Sequence, residues 1–259
     1  MSPESLPPDV SAVPEPEPPP PPPSEKYPFW GYLDLLGFFF IALLGLAAES
    51  LLLIVLIDVT HVKKAYLLIP AQVLLYGFLL GALALIFRRY YGRPFWRSIR
   101  WAPAAAGDSF VASCGVLAAF AVMLASILIR TPDTDSPMKQ LLSDPASVLM
   151  IAVIGTTLAP LVEEIVFRGF LQPLLVRSLG IAPGILLAAM AFGLLHLQEY
   201  GNSWRHALLI SGAGAGFGWM RQRTGSTRAA ALMHAAYNGV FFLLLAVQEA
   251  VSHGRLAAH

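Results

Sequence analysis

The stretch from Leu33 to Ile57 runs for 25 residues with only two charges, Asp34 and Glu49. At ~1.5 Å per residue a helix over it is ~37 Å long, more than the ~30 Å hydrocarbon core of a bilayer. A helix that is apolar all round has to lie in lipid or deep inside a large protein. Similar runs recur down the chain. Hydropathy predicts helices over 33–57, 66–88, 109–130, 146–168, 183–198, 206–221 and 228–249. Hydrophobic residues make up 56% of the chain and charged residues 13%, about half the charged share of a soluble domain. The expected fold class is therefore all-α: a polytopic transmembrane helix bundle of about seven to eight membrane helices, with the lipid bilayer as its first partner. No soluble domain and no internal repeat is visible. A net charge of +1 gives no case for nucleic-acid binding, and the single cysteine, Cys114, offers neither an intrachain disulfide nor a thiolate metal cage.

Residues 1–28 stand apart. They hold 12 of the 21 prolines, including the run Pro18–Pro23, and five acidic residues against Lys26. Such a segment cannot bury a core and is expected as a disordered, extended Pro-rich acidic tail. It would serve as a tether or as a ligand for a proline-binding module, and composition favours the tether. The remaining chain divides into N-terminal transmembrane helices over 29–144, a catalytic transmembrane region over 145–249, and a C-terminal tail over 250–259. Residues 88–100 carry five arginines and residues 221–228 three more. The positive-inside rule then makes both loops cytoplasmic, with the N-terminus cytoplasmic as well. Lys63 and Lys64 fall on the opposite side and run against this orientation. Trp30, Trp96, Trp101 and Trp204 sit near run ends, as interfacial aromatics do. Gly212/Gly216 and Gly214/Gly218 form two small-xxx-small pairs, which predict close helix packing.

The ionisable residues inside the apolar runs carry the chemistry, because charge in hydrocarbon is costly and faces a cavity or a partner. In the segment from Ala159 to Gly169, Glu163 and Glu164 are neighbours and point ~100° apart on a helix. Glu164 and Arg168 have i,i+4 ion-pair spacing, which leaves Glu163 free to act as a general base. Phe192 and His196 follow in the fifth run, and His234 and Asn238, one turn apart, in the seventh. Each polar group would need its own buried partner, and convergence on one site satisfies them together. Glu163, His196 and His234 are also candidate ligands of a catalytic divalent metal such as zinc, although no HExxH occurs. The reading preferred here is water activation without an obligatory tightly bound metal.

The ordered set EExxxR (Glu163, Glu164, Arg168), FxxxH (Phe192, His196) and HxxxN (His234, Asn238) resembles the CPBP family. That family contains type II CAAX prenyl endopeptidases, abortive-infection-like membrane proteases and bacteriocin-processing or immunity proteins. The resemblance covers roughly residues 145–245. It implies an intramembrane endopeptidase acting on a membrane-associated protein or peptide, CAAX-like or other. It gives Glu163 the role of water-activating base. His196 and His234 would orient the water or bind a metal, and Asn238 would stabilise the oxyanion. The family is described both as glutamate-dependent and as metallo-endopeptidases. The short chain suggests a bacterial inner or plasma membrane. Two alternatives carry weaker support: a non-catalytic scaffold or immunity protein that keeps the motifs, and a proton-coupled transporter using Glu49 and Glu199, for which no pseudo-repeat is present.

Overall fold

The computed structural model describes residues 26–62 and 64–256. The Pro-rich tail up to residue 25, Lys63 and the last three residues of the C-terminal tail lie outside the described residues. The first helix, α1 (Tyr32–Thr60), is the most apolar of the candidate spans and is capped at its start by Asp34, whose carboxylate accepts from the Gly31 N–H at 2.8 Å. It pairs with α2 (Lys64–Tyr91), which leads through the short α3 (Phe95–Ser98) to α4 (Asp108–Leu128). A connecting segment with the short α5 (Pro137–Leu141) precedes α6 (Pro145–Thr156), where Asp144 caps the Ser147 N–H at 3.0 Å. Asp as N-cap followed by Pro at the first helical position is a favourable helix start.

The fourth run departs most from expectation. From the sequence it reads as a helix over 146–168, with 169–177 either continuing it or bending away; the helical path breaks at Thr157, resumes as α7 (Leu158–Glu164), widens into a π-helix over Ile165–Leu171, and continues as α8 (Gln172–Leu179). Pro173 lacks the N–H that would bond the Gly169 carbonyl and crowds that carbonyl. Directly before it, the Gln172 N–H reaches back five residues to Phe167, the pattern of a π turn. Arg168 thus lies inside a continuous span rather than at a helix end.

The remaining helices are α9 (Ile181–Leu195), a 3-10 turn over Gln198–Tyr200, α10 (Trp204–Thr224) and α11 (Thr227–Leu256). No strand occurs among the described residues. Five helical segments are long and apolar enough to cross a membrane: 32–60, 66–91, 108–128, 147–179 and 227–251. α9 is apolar but shorter, and α10, with its glycines and terminal arginines, falls outside the five. All seven predicted runs are helical, and the fold is a polytopic α-helical membrane bundle.

Both arginine-rich loops lie at one end. The Thr227 N–H donates to the Arg100 carbonyl at 3.1 Å, Thr227 Oγ1 donates to Ile99, and Arg228 pairs with Asp108. This basic end is sealed by an aromatic plug. Trp30 is fully buried, its indole N–H bonds Phe170 O at 3.0 Å, and its ring packs on Phe87 and Phe170. Trp30 is therefore a core residue, not the interfacial aromatic its position suggested, whereas Trp96 and Trp204 are exposed as expected.

Of the two glycine pairs, only one packs. A Cβ on Gly214 would meet Arg168 Nη2 at 2.8 Å and one on Gly218 would meet Gln172 Oε1 at 2.6 Å. Gly212 has open space, and Gly216 has only ordinary contact. The glycine stripe of α10 admits the polar edge of the π-helix and α8.

Candidate active site

Glu164, Arg168 and Gln172 repeat every four residues and are all buried. Arg168 Nη1 donates to Glu164 Oε1 at 2.8 Å and Nη2 to the Gly214 carbonyl at 2.8 Å. Its guanidinium carbon lies 4.6 Å from the Phe192 ring centre, and Phe167 and Phe217 flank it at 5.7 and 5.6 Å. A cation with one carboxylate and three aromatic faces is well partnered in a dry site.

The same carboxylate oxygen does a second job. His234 Nδ1 lies 3.0 Å from Glu164 Oε1. A carboxylate only accepts, so Nδ1 carries the proton and, in the neutral ring, Nε2 presents its lone pair. Nε2 faces Glu163 Oε2 at 3.9 Å. Phe217 stacks on the imidazole with 4.5 Å between centres and 17° between planes, and His234 is itself buried. The four side chains form one chain of contacts: Arg168, Glu164, His234, Glu163. The expected pairing of Glu164 with Arg168 is present, and Glu164 also orients a histidine, in the manner of carboxylates that fix catalytic or metal-bound imidazoles.

Glu163 is the more open of the two acids, with its side chain 21% accessible against none for Glu164. It is not unpartnered, because the Tyr76 hydroxyl donates to Glu163 Oε1 at 3.3 Å. Tyr76 comes from α2, outside the region that carries the motifs. No periodicity or spacing in the sequence singles it out.

His196 stands at the C-terminal end of α9. Its Nδ1 is 2.8 Å from the Phe192 carbonyl, an acceptor, so this nitrogen donates and Nε2 is free. Phe192 touches both histidine rings, with centres 4.5 Å from His196 and 5.8 Å from His234. The depths agree as well. Gly169 lies against Thr227, where an added Cβ would sit 3.5 Å from Thr227 Cγ2. From that level Glu163 is six residues along one helix and His234 seven along another, or ~9 and ~10 Å. The α8–α9 corner projects ten residues, ~15 Å, the other way, and the 15 residues of α9 return ~22 Å. His196 thus comes back ~7 Å past the same level. His196 comes near the level of the others because the fourth span runs on to Leu179 before α9 turns back.

Beyond His196 the polar surroundings continue. Glu199 interacts electrostatically with both His196 and Glu163. The Tyr200 phenol is pushed up to about 12, first by burial and then by the charges of Glu199 and Glu163. These groups lie on the side away from the arginine loops, whereas the Trp30–Phe170 plug closes the basic side. With the basic side closed, the packing favours access from the side of the 3-10 turn.

Asn238 is one turn beyond His234. Its amide donates to the Gly155 carbonyl at 2.7 Å, beside the helix break at Thr157, so one of its two N–H groups braces α6 against α11. No group of three His, Cys, Asp or Glu side chains spaced to hold a metal ion is found among the described residues. Glu163, His196 and His234 do not form a ligand set for zinc in this arrangement.

A family model described as Type II CAAX prenyl endopeptidase Rce1-like matches residues 145–240. The match bears out the CPBP resemblance drawn from the three motifs and covers every motif residue. No curated protein and no solved structure matches the chain significantly.

Proposed function

We propose, from the premise that residues 145–240 form a CAAX-endopeptidase-like domain, that this protein is an intramembrane endopeptidase in which Glu163 activates the attacking water. The observation that carries the reading is the relay Arg168–Glu164–His234–Glu163. It leaves one carboxylate fully buried as an orienting group and the other partly open beside a lone-pair nitrogen. Glu163 takes a proton from water as the oxygen adds to the scissile carbonyl. His234, held by Glu164, orients that water through Nε2. Glu163 then gives that proton to the amine nitrogen as the C–N bond breaks, and His196, with Nδ1 committed to Phe192 O, keeps Nε2 as a hydrogen-bond acceptor beside the reacting groups. Asn238 has one amide hydrogen left for the developing oxyanion. No step needs a metal. The substrate class is a membrane-associated protein or peptide cut near its end, reached from the side of the 3-10 turn.

The test is the set of new peptide termini in membranes that contain the protein, mapped by mass spectrometry against membranes with Glu163→Gln. The wild type should generate termini that the variant lacks, at equal expression and with an unchanged fold. Identical terminus profiles would sink the proposal.

A further inference from the structure

A cavity of about 200 Å³ lies at the basic end of the bundle, among residues that play no part in the chemistry above. It is lined by Tyr27, Arg100, Gln172, Arg177, Arg221 and Gln222 together with two apolar residues of α8, and no carboxylate is among the described residues that line it. Arg221 is buried, with Nε donating to Thr227 Oγ1 at 3.0 Å and Nη2 to the Tyr27 hydroxyl at 2.9 Å. The Arg100 guanidinium lies flat against the Tyr27 ring, 3.7 Å from its centre. Arg177 is turned towards the backbone carbonyls of Pro28 and Trp30. Gln172 is 1% exposed, and its Oε1 has no donor among the described residues, while its amide N–H bonds Gly218 O.

Among the described residues the partners of these three guanidiniums are neutral: a phenol, a threonine hydroxyl, an aromatic face and two carbonyls. None removes the charge, and Arg221, the buried member of the three, is shielded from bulk screening. What is missing is an anion that can accept several N–H groups at once. Arg forks suit the oxygens of a phosphate, which take paired N–H donors. The volume suits a headgroup rather than a folded partner. The position is equally specific. The cavity opens beside the level where α1 and α11 begin, where a bilayer surface would lie, and basic pockets between membrane helices bind anionic headgroups there.

We propose that this cavity is a binding site for the phosphate of an anionic phospholipid headgroup, a site separate from the protease centre. The residues contributed by the N-terminal entry segment and the α2–α4 connection lie outside the matched domain, so the site ties those parts of the chain to α8 and α10.

The full chain, purified in a neutral detergent, is titrated with short-chain phosphatidylglycerol, phosphatidylcholine or inorganic phosphate. Bound lipid is counted by native mass spectrometry, and the thermal midpoint is followed in parallel. One phosphatidylglycerol should bind per chain and raise the midpoint. Arg100→Gln, which removes an exposed side chain and should fold normally, weakens binding by about tenfold. Arg223→Gln, in the last turn of α10 near Arg221 but outside the cavity, leaves it unchanged. Competition by inorganic phosphate would support the phosphate chemistry and identify a soluble anion as a second source of it. Equal binding of phosphatidylcholine, equal weakening by Arg223→Gln, or no saturable binding at all would each overturn the assignment.

Discussion

Replacing Glu164 by Gln separates the two adjacent acids by their effects on stability. Glu164 is wholly buried and is the one carboxylate in contact with Arg168, at 2.8 Å. The amide keeps the shape but removes the charge. If its oxygen takes the place of Oε1, the new NH2 falls at the position of Oε2, which already lacks a partner among the described residues. If it is turned round, both contacts at Oε1 are lost. Removing one partner of a buried pair costs about 3–5 kcal/mol. At roughly 2–4 °C per kcal/mol for a chain of this size, the thermal midpoint in detergent should fall by about 10 °C. Glu163→Gln keeps an acceptor for Tyr76 and disturbs no buried pair, so its midpoint should move by less than ~2 °C while hydrolysis is abolished. Adding Arg168→Met to Glu164→Gln should recover most of the lost stability, since the stranded cation is then gone. Equal midpoints for the two single variants, or a double variant that simply sums the two losses, would refute the reasoning.

Tyr76→Phe should leave the midpoint nearly unchanged and reduce kcat by about tenfold, because it removes the one hydroxyl that orients Glu163; steady-state kinetics on a mapped substrate decides this. Incubation with a strong chelator should leave hydrolysis intact, as expected from a site with no three-ligand cluster. Loss of activity restored by zinc would show that a metal is required.

Helix existence was legible because the constraint behind it is blunt. A run such as Leu33–Ile57 has one stable answer in a bilayer. Helix ends were less legible. Whether the fourth helix runs on past Arg168 was open from sequence, because a charge usually ends an apolar run. Here the charge is neutralised by Glu164, Gly214 O and three aromatic rings, so the span continues to Leu179. The π-helix has a sequence cause in Pro173, but a proline can equally kink or end a helix. Trp30 misled for a related reason: near a run end it has the composition of an interfacial residue, and only the packing of Phe87 and Phe170 around it shows a plug.

The site divides in the same way. Glu163, Glu164, Arg168, His196 and His234 could be read from spacing, and Glu164–Arg168 is the pair that i,i+4 geometry predicts. What spacing cannot express is that one oxygen serves two partners. Glu164 Oε1 holds Arg168 along its own helix and His234 across the bundle, and the second contact sets the tautomer that turns Nε2 towards Glu163. That arrangement depends on Gly214, where any side chain would displace the guanidinium. It also depends on Phe217, one turn from Gly214's edge of α10, which holds the imidazole flat. The glycine stripe read from sequence as a packing surface thus positions the acid–histidine pair. A small residue at 214 lets Arg168 reach the α10 backbone, Arg168 fixes Glu164, and Glu164 fixes the ring that faces the base.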